Sequence, residues 1–197
     1  MDTHFKHYPG VFSDISFDRV KREIDVKFDT FTAIQDGREV VCQEPRGTAW
    51  FSKSGKTFTY SNKTMHPAPF NPLLTEMADR LKELVGVDYD SVLVNLYPHG
   101  KSGMRYHVDP LFDPNDPERQ IWADDTSVIS VGDTRKFIIR DIEDGSDRKY
   151  YRFNVEGGDM MRMYNRCQRL YQHTVKVEKA VESVGPRYSI VFKQSIN

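Results

Sequence analysis

The chain has 197 residues, 38% of them hydrophobic and 29% charged, which is the composition of a water-soluble globular protein with a single domain over 1–197. Its formal net charge of −1 excludes nucleic-acid binding through bulk charge, so phosphate contacts must come from local clusters: Lys53, Lys56 and Lys63, or Arg162, Arg166 and Arg169. Two cysteines, Cys42 and Cys167, make no Cys-x-x-Cys pair and read as free thiols; with no leader-like or membrane-length apolar run, the expected place is intracellular, cytoplasm or nucleus, with no membrane and no obligate protein partner evident.

Residues 1 to about 10 read as a loose lead-in. Ser13 is the expected cap of a short helix whose Phe17, Val20 and Ile24 share one face. Asp36-Gly37 predicts a hairpin turn between strands near 27–34 and 39–43. Strands around Ala49-Trp50-Phe51 and 57–60 flank Ser54-Gly55. Asn71 caps a helix with Pro72 in its first turn. Leu74, Met77, Ala78, Leu81 and Val85 form its buried stripe, and Gly86 ends it. From residue 92 the chain alternates strands and turns: 92–97, 104–109, 127–131, 135–141, 149–155, 159–164, 170–177 and 187–193. Eight short strands with no helix between them indicate a jelly roll or barrel. Residues 110–126 form a long loop, expected as a mobile flap over the site. Its acidic residues lack the Gly and terminal Glu of an EF-hand loop.

The chemistry-bearing feature is His107-Val108-Asp109 followed far downstream by His173. In an extended segment alternate side chains share a face, so His107 and Asp109 point the same way. Pro110 cannot continue a central strand. His173 shares its face with Tyr171 and Val175, and an imidazole among apolar neighbours stays neutral, as metal binding requires. Two histidines and one carboxylate suit Fe(II) with open positions for a co-substrate and dioxygen. His4, His7, His66 and His99 carry no such pattern.

Two further strands place polar groups on one face. Leu93, Asn95 and Tyr97 align, as do Arg187, Ser189, Val191 and Lys193. Arg187 can fork onto a carboxylate while Ser189 adds a donor. Lys193 offers a second cation. A five-carbon keto diacid suits the arrangement, with its keto-acid end on the iron.

On these residues the chain resembles the AlkB family of Fe(II)- and 2-oxoglutarate-dependent dioxygenases. The matching pieces are Asn95-Leu96-Tyr97, His107-Val108-Asp109, Ser127 to Gly132, Arg135 to Arg140, Gly158 to Met161, His173, and Pro186 to Lys193. Pro45-Arg46 and 57–61 are similar to the nucleotide-recognition lid of nucleic-acid members. The resemblance implies a mainly β (α+β) fold: a double-stranded β-helix (jelly-roll) core over about 90–193, flanking N-terminal helices, and a lid over about 25–65. It implies Fe(II) held by His107, Asp109 and His173. It also implies 2-oxoglutarate on Asn95, Tyr97, Arg187, Ser189 and Lys193, and dioxygen as co-substrate. The implied reaction is oxidative demethylation of N-alkylated bases in DNA or RNA, with 2-oxoglutarate converted to succinate and carbon dioxide. Trp50, Phe58 and Tyr60 are candidates to stack on a flipped-out base, and Leu111 would face it.

The pattern departs from the family at four places. Lys193 stands for a second Arg, Ser189 for a frequent Asn, and Leu111 for an acidic residue, and the 110–126 loop is longer. These changes spare the iron chemistry and bear on the substrate. The alternative reading is a hydroxylase of the same type acting on a protein side chain or small molecule; a third is a binding module with a vestigial site. The 36–44 hairpin shows no obvious apolar wedge, so a single-stranded nucleic acid is the expected partner rather than a duplex.

Overall fold

Two antiparallel sheets face each other in the computed structural model, which describes residues 4–60, 63–143, 145–178 and 183–196. The larger sheet runs in the order β1 (Phe5–Tyr8), β14 (Met160–Met163), β11 (Trp122–Gly132), β16 (Arg187–Ser195), β7 (Ser91–Tyr97) and β4 (Gly47–Ser52). The smaller runs β13 (Tyr150–Val155), β12 (Arg135–Asp141), β15 (Tyr171–Val175) and β8 (Met104–His107). Strands distant in sequence are neighbours in both sheets, which is the jelly-roll arrangement.

The alternation read from the sequence is what builds the layers. Val92, Val94, Ile190 and Phe192 point outward from the large sheet, where α1 (Phe17–Glu23) and α2 (Pro72–Val85) cover them. Tyr97, Val128 and Val191 point inward and meet Phe137, Ile139 and Val175 of the small sheet. Strand β16 is buried on both faces. Helix α2 begins at the Asn71 cap, whose side chain accepts from the Leu74 N–H, and ends at Gly86 with φ +74°. It buries Leu73, Leu74, Met77, Ala78 and Leu81; each large side chain so buried stabilises the fold by about 1.5–3 kcal/mol. At the Asp36-Gly37 turn both φ angles are positive, 50° and 75°, as a tight hairpin between β2 (Thr30–Gln35) and β3 (Arg38–Gln43) requires. Among the described residues no helix is long and apolar enough to cross a membrane. Both cysteines are free.

Several expectations are corrected. Residues 5–8 are not a lead-in. They pair with β14 as an edge strand, because Phe5 buries its ring against Tyr151 and Tyr171, and His7 holds Asp159 at 2.8 Å. The cap of α1 is Ser16, whose hydroxyl accepts from the Arg19 N–H, and not Ser13, which packs against Gly158. Residues 47–52 belong to the core sheet through pairing with β7 rather than to the lid. Strand β8 stops at His107, before Asp109, and β11 starts five residues early, at Trp122. Residues 167–170 form a short helix, α3, ahead of β15. The 110–126 segment, expected as a loop, carries secondary structure of its own. It folds into a small hairpin, β9 (Phe112–Asp113) with β10 (Asp116–Gln120), and buries Leu111 and Trp122 against Trp50 and Phe58. Ser61, the last residue of the expected lid match, lies outside the described residues.

Candidate active site

The registers of the two sheets assemble the site. In the small sheet His173 pairs directly with His107, which puts their rings 4.2 Å apart between centroids. Asp109, two residues past the end of β8, turns its carboxylate back toward both. Its Oδ1 lies 3.8 Å from His107 Nε2 and 3.7 Å from His173 Nε2. One donor atom from each of the three falls within 4.8 Å of the others. In the large sheet Tyr97 pairs with Arg187 and Asn95 with Ser189, so the second polar set also comes together.

The electrostatics suit a cation held by these donors. His173 is buried, and burial beside His107 pushes its pKa down to about 3, which leaves a neutral imidazole able to ligate. Burial alone would raise Asp109, but the cationic Lys193 and the two histidines outweigh it and hold the carboxyl well below its ordinary range. Lys193 Nζ lies 3.3 Å from Asp109 Oδ2 and 3.5 Å from Thr126 Oγ1. The lysine is therefore engaged at the metal end rather than free to take a ligand's far carboxylate. Two nitrogens and one ionised oxygen on one side, leaving the cavity side open, fit Fe(II).

Sequence reasoning missed Gln168. It sits in α3, buried, and its Oε1 accepts from the Asp109 N–H at 2.8 Å while its Nε2 donates to Asp109 Oδ2 at 3.4 Å. No periodicity marks a lone Gln in a four-residue helix. Partners that orient ligands tune metal affinity, so Gln168→Ala is expected to weaken divalent-metal binding about 10–100-fold. Anaerobic Fe(II) titration measures this, and an unchanged affinity would leave Gln168 a packing residue.

A cavity of about 390 Å³ opens beside the three donors. Asn95, Tyr97, Ser189, Phe58, Tyr60 and Arg46 are among the residues that line it. Arg187 lies deeper. Its Nε donates to Ser130 Oγ at 2.7 Å, its Nη1 is buried with no partner, and burial lowers its pKa to about 10. Arg135, matched in the resemblance but given no role, is equally buried. Its guanidinium and that of Arg187 lie 5.7 and 5.8 Å from the Tyr97 ring. The oxygen Asn95 Oδ1 is also buried without a partner. The unpaired N–H donors of these buried cations favour an anionic ligand that completes them, whereas Asn95 Oδ1, an acceptor, calls for a donor.

The residues expected to stack on a base divide. Phe58, on β5 (Phe58–Tyr60), and Tyr60 are in the cavity wall. Trp50 is not. Its indole N–H donates to the Lys56 carbonyl, and its ring is covered by Phe58 at 4.7 Å and Trp122 at 5.5 Å. Leu111 lies in the same apolar cluster and outside the cavity wall. The basic clusters are mostly spent on internal partners. Lys63 pairs with Asp29 and Glu44, Arg162 with Asp125, and Arg169 with Asp124. Lys56 reaches the Ile196 carbonyl, and Lys53 lies over Phe70. Arg166 is exposed in a left-handed conformation at the start of α3. The hairpin does carry apolar surface: Ile34 and Val41 are exposed on one flank, although its tip is polar.

Comparison with known proteins agrees with this geometry. The pattern of the 2OG-Fe(II) oxygenase superfamily matches residues 8–193. The chain is 31% identical over 188 residues to the alpha-ketoglutarate-dependent dioxygenase alkB homolog 3 of Bos taurus, covering 92% of this chain and 61% of that one. It is 26% identical over 196 residues to the DNA oxidative demethylase ALKBH2 of Mus musculus, covering 95% and 78%. The solved structure of OsALKBH1 superposes with a TM-score of 0.63 at 15% identity, over 98% of this chain and 99% of that one, which is a likeness of fold. A jelly roll that pairs His107 with His173 beneath a carboxylate, and a family match running from residue 8 to residue 193, place the chain in the 2OG-Fe(II) oxygenase superfamily, as an AlkB-type dioxygenase that depends on Fe(II) and 2-oxoglutarate.

Proposed function

We propose that the protein removes N-alkyl groups from bases of DNA or RNA by oxidation. His107, Asp109 and His173 hold the Fe(II), and Gln168 and Lys193 orient Asp109. Arg187, backed by Ser130, takes the far carboxylate of 2-oxoglutarate, with Asn95, Tyr97 and Ser189 beside its chain. Together Fe(II), 2-oxoglutarate and dioxygen supply an oxidant that inserts oxygen into a C–H bond, with succinate and carbon dioxide as by-products. Hydroxylation of an N-methyl carbon gives an unstable product that separates into formaldehyde and the free base.

The observation that carries the reading is that Phe58 and Tyr60 line the same cavity as the metal donors, where a flipped-out base can lie against them. The relative named as a DNA oxidative demethylase supports the same substrate class. Because the hairpin tip is Asp36-Gly37, single-stranded nucleic acid is the preferred form; Ile34 and Val41 lie on the flank and not at the point of entry. With Lys63, Arg162 and Arg169 of the two basic clusters paired internally, few phosphates are held by those clusters. The compartment is intracellular in this reading.

The test is anaerobic loading with Fe(II) and 2-oxoglutarate, then aerobic turnover on methylated DNA and RNA, single-stranded and duplex. Succinate and base mass are followed together. Loss of the methyl group in step with succinate is the expected result. Succinate without any change in the bases would sink the proposal and send the activity to a protein side chain or small molecule. Faster turnover of duplex would overturn the strand preference alone.

A further inference from the structure

Buried positive charge gathers at the end of the cavity away from the metal donors, and the strand registers set this order. In the small sheet Ile139 pairs with His173 and Phe137 with Val175; Arg135 is the next inward residue of β12. In the large sheet Lys193 sits at the metal end on Asp109, while Arg187 pairs with Tyr97 at the other end of β16. Arg135 and Arg187 therefore come from facing sheets to one place. Both are 1% exposed, and both guanidinium carbons lie against the Tyr97 ring, at 5.7 and 5.8 Å.

The protein leaves donors of both arginines idle. Arg135 Nη2 donates to the carbonyls of Ser102 and Lys176 at 2.5 and 2.8 Å, but its Nε and Nη1 are buried with no hydrogen-bond partner. Arg187 Nη1 is buried without one as well. The acids whose charge reaches Arg135 are Glu178 and Asp133, and both are engaged elsewhere. Glu178 holds Lys136 at 2.7 Å, and Asp133 accepts from the Gly185 N–H. Among the described residues, Asp109 is the one carboxylate in the cavity lining, and it is committed to Lys193 and the metal donors. Two like charges buried together with idle N–H groups are costly until an anion joins them. A carboxylate has two oxygens, enough to accept from both guanidiniums at once.

We propose that Arg135 is a second cation for the far carboxylate of 2-oxoglutarate, shared with Arg187, and that the two select a dicarboxylic keto acid over a monocarboxylic one. The inference rests on the assignment of Arg187 to that carboxylate and is independent of which molecule is oxidised. Lys193 does not supply the second cation, because Asp109 holds it at the metal end. A keto acid without the far carboxylate leaves both arginines buried and unpaired, which is the source of the selectivity.

The experiment uses the protein loaded with Fe(II) without oxygen. It compares 2-oxoglutarate with 2-oxopentanoate, which has the same chain length and keto-acid end but no second carboxylate. Arg135→Gln removes the charge and keeps an amide donor for the Ser102 and Lys176 carbonyls; Arg135→Lys keeps a charge. Calorimetric titration gives Kd for each keto acid. Arg135→Gln is expected to weaken 2-oxoglutarate about tenfold or more and to change 2-oxopentanoate by less than about twofold, and Arg135→Lys to recover most of the loss. Equal loss for both keto acids, or loss for neither, would overturn the inference and leave Arg135 a support for the Ser102 and Lys176 backbone. Arg187→Met is titrated beside it: 2-oxoglutarate affinity unchanged in both variants would remove the Arg187 assignment too, whereas loss in Arg187→Met alone overturns only the part given to Arg135. Should Arg135→Gln fail to fold, the unaltered protein carrying Zn(II) and nitrogen-15-labelled arginine decides. The Arg135 Nε–H resonance, identified by its absence in Arg135→Lys, is expected to move with 2-oxoglutarate and not with 2-oxopentanoate. A resonance that answers neither, or both alike, would overturn the inference.

Discussion

Alanine in place of His107 is expected to give a folded protein with turnover lower by about 10³-fold or more, since the metal's contribution to the barrier is several kcal/mol. His107 suits the test because its side chain is 29% exposed and its polar and ring contacts are few: the His173 ring, Asp109 Oδ1 at 3.8 Å and the Arg105 carbonyl, 2.8 Å from Nδ1. Its two companions are poorer choices. Asp109→Ala leaves Lys193 buried without its carboxylate, and His173→Ala opens a hole beside Phe137, whose ring stacks on it at 5.5 Å. Both would mix a folding defect with a chemical one. Anaerobic Fe(II) binding, succinate formation and thermal melting are read together. Retained Fe(II) affinity and succinate formation in His107→Ala would refute the ligand assignment.

Arg187→Met should separate binding from stability in opposite directions. Truncating one side of a buried, hydrogen-bonded charge pair costs about 2–5 kcal/mol of binding, so 2-oxoglutarate affinity is expected to fall by about 30-fold to several thousand-fold. Without the co-substrate, Arg187 is a buried cation beside another, Arg135, and burial holds its pKa down to about 10. Among the described residues, its side chain donates to the neutral Ser130 hydroxyl. Replacing such a charge with an apolar side chain of similar length is often neutral or stabilising. The ligand-free melting temperature should stay level or rise while the stabilisation by 2-oxoglutarate disappears. Calorimetric titration and thermal melting with and without 2-oxoglutarate decide it. A lower ligand-free melting temperature with unchanged affinity would show that Arg187 serves the fold and not the co-substrate.

Local rules reach far in this chain where neighbours in sequence share the same physics. Alternation over 91–97 and 187–193 correctly divides each strand between an outer face under the helices and an inner face toward the cavity. The Asn71-Pro72 start and Gly86 end of α2, and the Asp36-Gly37 turn, follow from backbone chemistry within a few residues. The His107, Asp109 and His173 set is legible because residue type and spacing already limit which metal chemistry is possible.

What the sequence by itself determined was therefore most of the core strands, their faces, and the candidate donors. Only the tertiary structure decided which strands are neighbours, since pairing mostly joins segments tens of residues or more apart in the sequence. That is why residues 5–8 were no lead-in: β14 supplies their partner. It is also why Trp50, aromatic and near the lid in sequence, ends in an apolar cluster with Leu111 and Trp122: pairing of β4 with β7 turns it inward. Gln168 and Arg46 acquire meaning in the same way. A polar side chain gives no periodic signal of what it will face, and its role is set by the carboxylate or the cavity that folding brings to it.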